Sequence, residues 1–222
     1  MALSPYHAVV FDFDGVIADT ANIHVAAWER TFAVMGWKVP TEVCARAGSE
    51  DDRTFLDDVF SSQGIEGGDR EGWVRKKQDL TRTMLNFAPR IYPGVAALLR
   101  ELHSRSIPVG IVTGTWQENV ATTLESGGLA PYVKTCVTKE VVTSPKPDPE
   151  GYLLACKRLK VEPAHALAVE DSLNGVEAAT KAGMKVLALG HRQPQGDWTL
   201  GAPFVSDLRD PKAILQHLGL TV

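Results

Sequence analysis

Short apolar runs that read as buried β-strands alternate with stretches of helical periodicity along most of this chain. That alternation is the signature of βα units built around a mainly parallel sheet. The runs are Ala8–Phe13, Pro108–Thr113, Lys134–Val137, Ala166–Val169, Lys185–Leu189 and Phe204–Val205. Among the helices between them, one carries Val95, Leu98, Leu99 and Leu102, and another Tyr152, Leu153, Cys156 and Leu159. A third begins near Ser172, a favourable N-cap type, and closes at Gly183. The first connection breaks the rhythm. It runs from residue 14 to residue 107, far beyond the crossover that a βαβ unit needs. Helical stripes fill it: Val25, Trp28, Phe32 and Met35, ended by Gly36; Phe55, Val59 and Phe60; Trp73, Leu80 and Met84. Residues 18–88 therefore read as a helical domain inserted into a core of residues 1–17 and 89–222, with Pro89 and Tyr92-Pro93-Gly94 marking the return. The expected fold is α/β, a doubly wound parallel sheet. An insertion at that point sits over the carboxyl ends of the strands, where open α/β sheets bind ligands.

Bulk properties narrow the function. A chain of 222 residues can bury a sizeable core, and 44% hydrophobic with 23% charged residues is ordinary for a soluble globular protein. A net charge of −4 gives no basic footprint for nucleic acid. Cys44, Cys136 and Cys156 are odd in number and form no CxxC pair, which points to reduced thiols in a cytosol. No secretory signal is visible in Met1-Ala2-Leu3-Ser4-Pro5, and no apolar run approaches the length of a membrane span.

Four groups of reactive side chains fall at or just beyond the ends of expected strands: Asp12/Asp14, Thr113-Gly114-Thr115, Lys146 and Glu170/Asp171. Parallel strands bring their carboxyl ends to one edge, so the groups should converge. Side chains at i and i+2 of a strand point the same way, which pairs the carboxylates of Asp12 and Asp14. Like charges side by side cost stability unless a cation or a reaction uses them. The pair suits chemistry in which one carboxylate attacks and the other handles a proton. Thr113-Gly114-Thr115 ends a strand before a helix, where a hydroxyl and free N–H groups suit a phosphate oxygen; a plain βα turn with a threonine cap is the alternative. Lys146 stands among Pro145, Pro147 and Pro149, which hold it on a stiff loop rather than leaving it to wander. Glu170 and Asp171 could complement a helix dipole, or bind Mg²⁺, which takes one or two carboxylates with phosphate and water. Charge favours the ion. As many as four carboxylates opposed by Lys146 alone would repel a phosphate dianion.

With these residues in place the sequence resembles the haloacid dehalogenase superfamily. Asp12-Phe13-Asp14-Gly15-Val16-Ile17-Ala18-Asp19-Thr20 matches its first motif and Ile111-Val112-Thr113-Gly114 the second. Lys146-Pro147-Asp148-Pro149 matches the third, and Val169-Glu170-Asp171-Ser172 with Gly175-Val176 the fourth. The resemblance implies a Rossmann-like core with a helical cap, of the subgroup containing phosphoglycolate phosphatase and β-phosphoglucomutase. It implies Asp12 as the nucleophile that forms an aspartyl-phosphate, and Asp14 as the acid and base. Thr113, Gly114 and Lys146 would bind the phosphoryl group. Mg²⁺ would be held by Asp12, the backbone carbonyl of Asp14 and Asp171, with Glu170 beside or within that shell.

The cap is expected to hinge near Ala18–Thr20 and Ala88–Tyr92 and to choose the substrate. Candidate residues are Thr20, His24, Glu50 and Arg53 in or beside the Gly48–Arg53 loop, and Lys77 in the run Arg75-Lys76-Lys77. The plain alternatives are a helix-edge position for His24 and a solvated helix face for the basic run. In β-phosphoglucomutase an arginine of the cap loop grips the second phosphate; Glu50 stands at the matching position here and would repel it. A phosphatase of a small phosphorylated metabolite is therefore favoured over a phosphomutase. No nucleic-acid or membrane partner is expected, and the chain is expected to act in the cytoplasm as a monomer or weak homodimer. A response-regulator receiver shares the Asp, Thr, Lys order, but it is much shorter and its acidic pair comes early. An EF-hand fails because Ile17 and Ile23 occupy loop positions six and twelve. A dehalogenase proper typically lacks the residue corresponding to Asp14.

Overall fold

The computed structural model describes residues 6–48, 51–217 and 219. The chain forms two compact units, Met1–Ala18 with Ile91–Val222 and Asp19–Arg90. The helices of the second unit are α1 (Ala21–Met35), α2 (Thr41–Cys44), α3 (Asp52–Ser62) and α4 (Arg70–Phe87). The first unit contains β1 (Ala8–Phe11), α5 (Val95–Ser104), β2 (Val109–Val112), α6 (Gln117–Ser126), β3 (Thr135–Val137) and α7 (Glu150–Leu159). It continues with β4 (Ala166–Glu170), α8 (Leu173–Lys181), β5 (Lys185–Leu189), β6 (Phe204–Val205) and α9 (Pro211–His217).

The sheet of the first unit is parallel throughout, in the order β3-β2-β1-β4-β5-β6. This doubly wound order reverses direction between β1 and β4 and differs from the 2-1-3-4-5 order of flavodoxin-like receivers. A sheet covered on both faces needs strands that are apolar on both sides. Val9 and Phe11 of β1 pack with α5, α6 and α9 residues such as Leu98, Leu124 and Ile214. Ala8 and Val10 face the other way, with Tyr152, Ala155 and Val176 of α7 and α8. Register then positions the site. Phe11 stands level with Ile111 of β2 and with Val169 of β4. The residues that follow these three therefore emerge at one height on one edge.

In the second unit an aromatic cluster holds α1 and α3 together: the rings of Trp28 and Phe55 lie 5.4 Å apart and those of Trp37 and Phe60 4.9 Å apart. Asp51 caps α3 by accepting the N–H of Arg53 at 2.9 Å, and Asp69 caps α4 through Gly72 at 2.8 Å. The inward face of α4 departs from expectation. It consists of Val74, Lys77, Gln78, Thr81 and Leu85, while Trp73, Leu80 and Met84 are only half-buried. Leu153 of α7 is likewise exposed, and Ala155 takes its place in the core. No described helix is long and apolar enough to cross a membrane.

Candidate active site

β1 ends at Phe11, two residues earlier than its apolar run suggests. Asp12 is tied to β4 through its N–H, 2.9 Å from the carbonyl oxygen of Val169. The chain then turns sharply through Gly15, so strand alternation does not reach Asp14. The two carboxylates take different hydrogen-bond partners, while the Asp14 charge still lies near enough to raise the pKa of Asp12.

Asp12 meets Lys146. The Lys146 ammonium lies 2.5 Å from Asp12 Oδ1, 2.5 Å from Glu170 Oε1 and 3.0 Å from the carbonyl oxygen of Val112. An ammonium has three protons, and these contacts use all of them. Burial works against the Lys146 charge, but Asp12 and Glu170 together outweigh it and hold its pKa above the ordinary lysine range.

Asp14 meets two threonines. Its Oδ2 accepts the hydroxyl of Thr115 at 2.5 Å and that of Thr113 at 3.2 Å, while Thr113 Oγ1 accepts the N–H of Thr115 at 3.0 Å. Thr115 belongs to the sequence cluster but is not among the candidates drawn from it. Thr113 is buried, whereas Gly114 is exposed and shows its backbone to solvent.

Glu170 is completely buried at the end of β4. Its Oε1 accepts the Lys146 ammonium and, at 2.6 Å, the hydroxyl of Tyr152. Its Oε2 accepts the N–H of Asp171 at 3.1 Å and the Ser172 hydroxyl at 3.3 Å. A carboxylate has about four acceptor positions, so protein donors satisfy it. Gly175 makes room for this: a Cβ there would lie 1.9 Å from the Glu170 carboxyl carbon. Tyr152 read in the sequence as an ordinary core residue, and only its hydroxyl could have signalled otherwise.

Asp12, Glu170 and Asp171 each place a carboxylate oxygen within 4.8 Å of the others, and all three are buried. Burial, then the neighbouring carboxylates, drives the pKa of Asp12 well up despite Lys146. The same causes raise Asp171 to about 7 against the opposing Arg192 and Lys146. Desolvated carboxylates that hold protons this strongly fit a divalent cation taken by oxygen ligands. With Glu170 satisfied by protein donors, Asp12 and Asp171 remain the side chains best suited to such an ion.

The candidates of the helical unit form their own arrangement. Lys77 has no solvent exposure, so the solvated-face reading of the basic run fails at its last member; Arg75 and Lys76 are exposed. The Lys77 ammonium lies 2.6 Å from Asp52 Oδ1 and 2.6 Å from His24 Nδ1. Asp52 also accepts the Trp28 indole N–H at 3.0 Å and the amide of Gln78. Thr20 is buried at the start of α1. Arg53 points into surface ion pairs with Asp57 and Glu71. Glu50 lies outside the described residues.

Comparison with known proteins places these features in context. The family model described as haloacid dehalogenase-like hydrolase matches residues 9–189. A phosphorylated carbohydrates phosphatase of Thermotoga maritima is 30% identical over 212 residues, 95% of this chain and 97% of the relative. The β-phosphoglucomutase of Bacillus subtilis is 28% identical over 89% of this chain and 88% of its own length. The crystal structure of a β-phosphoglucomutase from Clostridium difficile shares the fold, with a TM-score of 0.79 at 21% identity over 96% of this chain and 97% of that one.

Proposed function

Because this chain belongs to the haloacid dehalogenase-like hydrolase family, we propose that it is a Mg²⁺-dependent phosphatase of small phosphorylated carbohydrates that works through an aspartyl-phosphate. The observation that carries the reading is Lys146, bound at 2.5 Å to both Asp12 and Glu170, which ties three remote segments into one acidic centre.

Asp12 is the nucleophile. Lys146 draws on its Oδ1, which fixes the carboxylate and leaves the other oxygen to attack phosphorus. As the new P–O bond forms, the bond to the substrate oxygen breaks, and Asp14 gives that oxygen its proton. Asp14 then takes a proton from water, the water oxygen attacks phosphorus, and phosphate leaves with Asp12 restored. The hydroxyls of Thr113 and Thr115 hold Asp14 in its orientation between the two steps. Asp12, Asp171 and the Asp14 carbonyl would hold Mg²⁺, which when bound neutralises phosphoryl charge. Glu170 serves as the anchor that positions Lys146 and the Asp171 backbone. Accelerations for phosphate monoesters reach ~10²¹, so the reaction depends on all of these groups acting as a unit.

The second reading is a sugar phosphomutase. The Bacillus subtilis relative supports it. Glu50 opposes it, since a carboxylate would repel a second phosphate. A panel of sugar phosphates, phosphoglycolate and nucleotides, assayed for free phosphate with and without glucose 1,6-bisphosphate, separates the two. The phosphatase releases phosphate over many turnovers without the bisphosphate. Isomerised sugar phosphate without net phosphate release overturns the reading.

Metal binding carries its own pH signature. With Asp171 raised to about 7 from 3.8, the metal-free folded state keeps a proton that the unfolded chain has lost. This group therefore makes the metal-free protein less stable as pH rises from about 4 to 7. A cation replaces that proton, so about 10 mM Mg²⁺ should raise the melting temperature more at pH 8 than at pH 6. An equal or smaller shift at pH 8 refutes it.

A further inference from the structure

We infer that His191, Arg192 and Gln193, which follow β5, form a buttress that sets the Asp12–Ala18 turn against the Glu170–Asp171 turn, with His191 as the main positioning residue. The inference rests on Asp12 and Asp14 being the reacting carboxylates.

The three side chains divide the work. Leu208 donates its N–H to His191 Nε2 at 3.2 Å, so the ring proton sits on Nδ1. A carbonyl can only accept, and Nδ1–H donates to the carbonyl oxygen of Gly15 at 3.2 Å. The imidazole also stacks on Tyr92, with centroids 4.0 Å apart, and the Tyr92 N–H bonds the carbonyl oxygen of Ile17 at 3.0 Å. The first turn is thus held at Gly15 and at Ile17. Arg192 lies 3.8 Å from Asp171 Oδ2, and Gln193 Nε2 donates to the Asp171 carbonyl oxygen at 2.9 Å. Those two contacts hold the second turn.

The turns are pressed close together. Gly15 has φ +94°, and a Cβ on it would lie 1.9 Å from Asp171 Oδ2 and 2.6 Å from Arg192 Cδ. No side chain fits between them, so their separation depends on what grips each from outside. Residues 191–193 grip both and belong to none of the four motif segments. A misplacement of about 1 Å at reacting groups can cost about 10²-fold in rate, which gives such a grip catalytic weight.

The test compares H191F, which keeps a ring for Tyr92 but loses both hydrogen bonds, with H191N, whose amide N–H reaches the position of Nδ1. With Mg²⁺ and p-nitrophenyl phosphate, H191F should lose about tenfold in kcat with KM changed less than about twofold, while H191N keeps at least about half of wild-type kcat. Amide hydrogen exchange, followed by mass spectrometry, should quicken about tenfold in peptides covering residues 13–18 of H191F and stay unchanged in β2. A folded H191F with kcat within about twofold of wild type overturns the inference, as does exchange that quickens uniformly across the sheet. If H191F does not fold, H191Q replaces it, and equal kcat in H191Q and H191N overturns the inference. D12N run alongside reports separately on the underlying assignment: if D12N stays active, the nucleophile is wrong whatever the His191 variants do.

Discussion

Asp12→Asn is expected to abolish turnover of p-nitrophenyl phosphate, by roughly 10⁴-fold or more, while leaving the fold intact. An amide has nearly the shape of the carboxylate but cannot attack phosphorus. The fold should tolerate the change because Asp12 does not stabilise its surroundings as an anion. Burial, Glu170, Asp171 and Asp14 all oppose its charge, and only Lys146 favours it. Removing the charge relieves the repulsion and still leaves Lys146 paired with Glu170 at 2.5 Å. The measurement is steady-state phosphate release together with a thermal melt. Normal turnover refutes the nucleophile assignment. Lost activity with a collapsed melting temperature would show that Asp12 acts structurally.

The second large effect lies in the helical unit. Asp52→Ala removes the carboxylate shared by Trp28, Lys77 and Gln78. It takes the anion from an ammonium with no solvent exposure. Breaking a buried ion pair on one side costs about 3–5 kcal/mol. Urea unfolding followed by tryptophan fluorescence should show that loss, since Trp28, Trp37 and Trp73 all lie in this unit. The double change Asp52→Leu with Lys77→Met should recover much of it, because an apolar pair needs no compensation. A single variant within about 1 kcal/mol of wild type would mean that the network contributes little net stability.

Much of the core unit can be read from sequence for a physical reason. A parallel strand buried on both faces must be a continuous apolar run, and Ala8–Phe11, Val109–Val112 and Val186–Leu189 are each unbroken apolar stretches. Strand ends then locate reactive groups, because parallel topology brings carboxyl ends together. What sequence does not disclose is direction beyond a strand's end. Asp12 and Asp14 take different hydrogen-bond partners because Phe11 is the last paired residue, and nothing in an apolar run marks where pairing stops. The burial of Lys77, itself a candidate from the sequence, is hidden for a different reason. Charge runs are usually solvated, and its burial depends on Asp52, which lies on another helix and was not paired with it by any local pattern. His191 follows a strand end as well, but its partners Gly15, Tyr92 and Leu208 come from three other segments, and hydrogen bonds of that range leave no periodic trace.

β1 carries Asp12 at its tip and lies between β2 and β4. Its residues therefore leave the ribosome long before either neighbour exists. At about 5–20 residues per second, roughly eight to thirty seconds separate the synthesis of Ala8 from that of Ala166, its partner in β4. Over that interval an apolar tetrapeptide waits uncovered in the nascent chain, while the helices of residues 19–90, local in their contacts, are completed before β4. Chaperone capture during translation should fall on this strand, and charged substitutions in it should lower soluble yield more than their effect on the finished protein would suggest.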